Sequence, residues 1–140
     1  MNNSIASKSN DSSCTLYVCT SCRTVGMSRE PKEKRQGFIL YQKIKTLFND
    51  SSLSNQVDVQ PTRCLSICTR PCGIALSSRN SWTYLFGDQK PDKIAKDILD
   101  CVSLYLTSPS GFMMRAKRPK SLQSSILGRV PPREGEDTCT

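Results

Sequence analysis

The sequence predicts an α/β fold, a small mixed sheet covered by two helices in the order β-α-β-β-β-α. Three observations predict it. Four short β-prone runs, Thr15–Val18, Val57–Gln60, Ile74–Leu76 and Trp82–Phe86, are bounded by turn residues or proline. Apolar residues recur at helical spacing in two places, from Phe38 to Asn49 and from Pro91 to Leu106. The first helix separates the first two strands, whereas only a short polar turn separates the last two. A parallel βαβ unit followed by an antiparallel hairpin accommodates that order.

Residues 1–13 are rich in Ser and Asn and are expected to be a flexible, disordered segment. The first strand, Thr15-Leu-Tyr-Val18, runs into Cys19-Thr-Ser-Cys22, and a charged, proline-containing connection follows to Gly37. Leu40, Ile44, Leu47 and Phe48 give the first helix its apolar face, and Asn49-Asp-Ser-Ser is a polar stop. Val57-Asp-Val59-Gln alternates as the second strand, closed by Pro61, and leads into the loop Cys64–Cys72. The hairpin turns at Ser78-Arg-Asn80-Ser, and Gly87-Asp88 ends its second arm. Pro91 opens the second helix, on which Ile94, Ile98, Val102, Tyr105 and Leu106 share a face with Leu99 beside it, and Pro109-Ser-Gly111 lies beyond its end. This is the minimal thioredoxin-like pattern, expected over residues 14–108. Residues 109–140 read as a basic extension, with the apolar group Ile126, Leu127 and Val130 lying along the domain surface.

Charge and composition restrict the function. The formal charge is +8, and residues 115–133 carry Arg115, Lys117, Arg118, Lys120, Arg129 and Arg133 with no acid among them. Aromatic residues do not alternate with these cations as a single-strand nucleic-acid site requires, so an acidic redox partner protein is expected and no nucleic acid. The first thirteen residues lack the apolar stretch of a signal peptide, and no run approaches the ~18 apolar residues of a membrane span. A cytoplasmic location with reduced thiols follows as the expectation, without membrane association. With no histidine in the chain, Cys–His zinc sites, histidine general bases and Cys–His dyads are excluded.

Five of the eight cysteines lie in Cys19-Thr-Ser-Cys22 and Cys64-Leu-Ser-Ile-Cys68-Thr-Arg-Pro-Cys72. Thiolates are soft metal ligands and redox nucleophiles, so such clustering asks for a metal, a cluster or a disulfide. Zinc ribbons repeat C-x2-C after about 15–20 residues, and plant-type ferredoxins use C-x4-C-x2-C; neither spacing occurs here. Two loops that each offer a close pair suit a four-thiolate 2Fe–2S cluster, with two cysteines on each iron. In this topology both loops leave the same end of the sheet. Arg23, Arg63 and Arg70 stand close enough in sequence to balance a cluster's negative charge. Two alternatives stay open: a thiol–disulfide oxidoreductase using Cys19 and Cys22, and a zinc site of four thiolates. Whether the chain is an enzyme is left open by these alternatives; an electron carrier or metal-binding protein is the expectation ahead of an enzyme.

The run Cys64-Leu-Ser-Ile-Cys68 with Pro71, the hairpin end Tyr84-Leu-Phe-Gly-Asp88 and the helix start Pro91-Asp-Lys-Ile94 resemble thioredoxin-like 2Fe–2S ferredoxins. That resemblance implies a cluster on Cys19, Cys22, Cys64 and Cys68, although the family's first pair is more widely spaced. Val18 to Arg23, Cys64 to Cys72, Trp82 to Asp88, Ser108 to Gly111 and Arg129 to Pro132 are similar to an uncharacterised bacterial family of predicted metal-binding proteins, over about residues 15–132. Of the remaining cysteines, Cys101 reads as a buried small hydrophobe, Cys14 and Cys139 as incidental, and Cys72 as a neighbour of the site rather than a ligand. Trp82, Tyr84 and Phe86 alternate as core residues.

Overall fold

The computed structural model describes residues 14–21, 31–66, 70, 72–90 and 95–133. Strand β1, Cys14–Cys19, is followed by a 3-10 turn at Lys32–Lys34 and helix α1, Gln36–Asn49. Strands β2, Val57–Thr62, β3, Ile74–Ser77, and β4, Thr83–Phe86, come next. Helix α2, Ala95–Thr107, and strand β5, Ile126–Val130, complete the order. The sheet runs β2-β1-β3-β4-β5. β1 and β2 are parallel, pairing Cys14 with Val57 through Cys19 with Thr62, and every other pair is antiparallel. The mixed α/β class, the parallel first pair and the hairpin are therefore as the sequence predicts.

Helix spacing explains both covers. Leu40, Ile44 and Phe48 follow one another at four-residue steps on α1 and are buried, and α1 packs on β1, β2 and α2. Ser51 closes that helix: its hydroxyl donates to the Phe48 carbonyl at 2.8 Å. On α2, Ile98, Cys101, Val102 and Tyr105 are buried. The Ser108 hydroxyl donates to the Leu104 carbonyl at 2.6 Å as the chain leaves α2. Gly111 has φ 69°, and a Cβ there would stand 2.5 Å from the Tyr105 ring, so only glycine fits the exit. The expected opening of α2 at Pro91, its face residue Ile94 and the expected disorder of residues 1–13 lie outside the described residues.

One element differs from expectation. Ile126–Val130 is not a loose apolar group along the surface but the fifth strand, paired with β4 from Thr83–Val130 to Phe86–Ile126. Its side chains run from half-buried to exposed, and a register shift interrupts the ladder at Leu85 and Phe86. An edge strand of this kind has one neighbour and little burial, so its sequence lacks clean alternation. The chain between α2 and β5 is fastened to the core: Met113 and Leu122 are buried, and the Met113 N–H donates to the Tyr84 hydroxyl at 2.8 Å. The Tyr105 hydroxyl donates to the Trp82 carbonyl at 2.6 Å. Fully burying each such side chain contributes about 1.5–3 kcal/mol.

Candidate metal centre

Because β1 and β2 are parallel and β3 is antiparallel to β1, the ends of β1 and β2 and the start of β3 share one end of the sheet. The loop between β2 and β3 therefore starts and ends on opposite sides of the end of β1, where the first cysteine run begins. Contacts hold both limbs of that loop to the end of β1, on either side of Cys19. Its N–H donates to the Gly73 carbonyl at 3.0 Å, and its Sγ lies 3.9 Å from the Arg63 carbonyl. Thr20 continues the contact, giving both its N–H, at 2.9 Å, and its hydroxyl, at 3.1 Å, to the Thr62 carbonyl.

The cysteines at this end differ in setting. Cys19 is buried and Cys64 is exposed. The Ser66 N–H donates to Cys64 Sγ at 3.1 Å, and Ser66 holds a left-handed φ of 61°. A backbone N–H on sulfur stabilises a thiolate and is one of the means by which proteins tune thiolate-bound metals. Cys72 is buried with a left-handed φ of 63°, the constrained turn expected beside Pro71 and Gly73. Burial, then the neighbouring Cys19 and Asp88, push its thiol up to about 11. Cys22 and Cys68, together with Arg23, lie outside the described residues. Among the described residues no three His, Cys, Asp or Glu side chains group closely enough to hold a metal ion.

The family model described as protein of unknown function DUF1636 matches residues 16–132. The chain belongs to that family. No curated protein matches. Among solved structures, the thioredoxin-like 2Fe-2S ferredoxin of Aquifex aeolicus is similar, with a TM-score of 0.55 at 16% identity over 89% of this chain and 99% of that one. A cysteine-to-serine variant of the same ferredoxin gives a TM-score of 0.51 at 15% identity, over 82% and 98%. At such identity the likeness establishes the fold, and the fold is thioredoxin-like.

In this DUF1636 chain the structure also brings in residues that the spacing of cysteines does not reveal. Asp88, with φ 58°, pairs with Arg70 across the mouth of the second cysteine loop. The next residue, Gln89, donates its N–H to the Cys72 carbonyl at 3.2 Å. A Cβ on Gly87 would meet the Arg70 Cβ and carbonyl, each at 2.8 Å. Gly87-Asp-Gln89 thus clamps the return limb of the loop, and the Gly-Asp pair ending a strand was its only sequence signal. Arg70, expected to balance charge at the cysteines, is committed to Asp88; Arg63 is exposed beside Cys64. Cys14, read as an incidental tail residue, is instead the buried first residue of β1.

Proposed function

We propose that this protein holds a 2Fe–2S cluster on the thiolates of Cys19, Cys22, Cys64 and Cys68 and serves as a one-electron carrier or an accessory redox protein. The observation that supports it most is that both described limbs of the second cysteine loop flank the end of β1, with Cys19 hydrogen-bonded to the return limb and its Sγ facing the outgoing one. The donor chemistry fits: the chain offers thiolates and no histidine, and Cys64 already receives a backbone N–H. The similar ferredoxin of Aquifex aeolicus bears such a cluster, which is further support. When bound, the cluster would supply reversible one-electron chemistry. The chain's part is to hold the thiolates, direct N–H groups at sulfur and keep water from Cys19.

Thiol–disulfide exchange fits less well, since an attacking thiol must be reachable and Cys19 is only 2% exposed. The exposed cations Lys117, Lys120 and Arg133 are assigned to docking an acidic redox partner, whose association should slow as salt rises. The test of the central reading is the visible spectrum of protein purified without oxygen. A brown protein whose absorption bleaches on adding about one electron per chain is expected. A colourless protein that still carries metal would overturn it.

A further inference from the structure

Phe112 and Met114, which are 37% and 56% exposed, border two cavities at once. One, of about 390 Å³, is lined with three arginines, Arg115, Arg118 and Arg129, and with no acidic residue. The other, of about 550 Å³, is walled largely by apolar groups, Trp82 and Leu104 among them, with Lys117 as its single cation. Both volumes fall in the range of small-molecule sites, and apolar walls with a few convergent polar groups are their usual make-up.

The three guanidiniums are held in place but not neutralised. Arg118 is 6% exposed, an unusual depth for a cation. Its Nε donates to the Leu122 carbonyl at 3.0 Å and its Nη1 to the Met113 carbonyl at 3.3 Å, above the Tyr84 ring at 6.0 Å. Arg115 Nη1 donates to the Gln123 carbonyl at 2.7 Å. The Arg129 guanidinium stacks 4.6 Å from the Trp82 ring centre and 5.2 Å from that of Phe112. Among the described residues no carboxylate pairs with any of the three. Burial draws the Arg118 pKa below its usual value; Tyr84 and Cys101 oppose that, while Arg115 and Arg129 add to it. Carbonyls and rings satisfy hydrogen bonds and orientation; they do not remove like-charge repulsion, which an anion would.

The choice of anion follows from charge and shape. A carboxylate brings one charge and two oxygens, whereas a phosphate monoester brings about −1.5 to −2 and three terminal oxygens. Three guanidiniums, with the N–H donors that Arg115 and Arg118 do not give to carbonyls, match the latter. We propose that this arginine-lined cavity binds the phosphate of a small phosphomonoester whose apolar or aromatic body lies in the adjoining cavity, along Phe112 and Met114. The site is built from the chain after α2 together with Trp82, away from the cysteine end, and stands whether or not a cluster is bound there.

Trp82 is the only tryptophan, so its fluorescence reports on the site directly. The probes are phenyl phosphate, inorganic phosphate, benzoate and a short single-stranded oligonucleotide, titrated into the whole chain. Phenyl phosphate should give a saturable change and bind at least about tenfold more tightly than inorganic phosphate, through burial of its ring. Arg115→Ala and Arg129→Ala, both at exposed positions, should each weaken it about tenfold, the loss of one charged hydrogen bond, with the melting temperature nearly unchanged. These variants are chosen because replacing buried Arg118 endangers the fold, and calorimetry supplies the constant where Arg129→Ala alters Trp82 emission itself. No saturation at millimolar phenyl phosphate, or unchanged affinity in both variants, would overturn the site. Benzoate or inorganic phosphate binding as tightly would overturn the phosphomonoester assignment, and an oligonucleotide binding more tightly would overturn a small-molecule site.

Discussion

Cys14 and Cys101 are buried thiols whose setting lifts them from an ordinary 9.0 to about 12, in both cases through burial. In the folded chain they keep their protons to about pH 12, whereas the unfolded chain gives them up near pH 9. Unfolding therefore releases protons in that window, and stability, complete below pH 9, should fall as pH rises towards 12. Urea unfolding at a series of alkaline pH values checks this; Cys14→Ala and Cys101→Ala should each flatten the decline, and an unchanged slope in both would contradict it. Cys101 was legible as core because it falls on the helical face of α2, while Cys14 was not, since nothing before it in sequence signals a strand start. Cys72 is packed at the same end as Cys19, in a left-handed turn clamped by Gln89, so its thiol is placed by the fold whether or not metal is present. Cys72→Ser should keep the visible chromophore and Cys64→Ser should lose or visibly alter it. The reverse pattern in a serine scan would reassign the ligands.

At the level of elements, strong local patterns carried through. The four-residue steps of α1 and the alternation of β2 and β4 reflect one buried face each, and burial is what a periodic pattern records. Strand β5 escaped because Gly128 and Arg129 interrupt it and only one neighbour holds it; its pairing depends on β4, not on its own sequence. The Gly87 clamp was equally hidden, since a glycine's need for space depends on what the fold places opposite. Here that is Arg70 and Leu127, whose Cδ1 lies 2.9 Å from the position of a Cβ, whereas a Cβ on Gly128 would meet nothing within 4 Å. Gly87→Ala should destabilise by about 1–3 kcal/mol, as overpacking does, and Gly128→Ala should leave stability within about 0.5 kcal/mol. Thermal melts of the two variants decide it, and equal melting temperatures would contradict the clamp.

For the molecule as a whole, topology brings Cys19, Cys64 and Cys72 to one end of the sheet, although they lie far apart in sequence. Parallel β1 and β2 followed by antiparallel β3 place Cys19 and the described residues on either side of the second loop at a single end of the sheet, an arrangement that element order alone predicts. What element order could not supply was the detail that makes the end chemically specific: the Ser66 N–H on Cys64, the Arg70–Asp88 pair and the burial of Cys19, all of which depend on loop conformation. The central claim is that this end carries a thiolate-bound iron–sulfur centre, and elemental analysis of protein purified without oxygen tests it most directly. Iron and acid-labile sulfide should be present in equal amounts, about two of each per chain. One zinc per chain with no sulfide would contradict the claim.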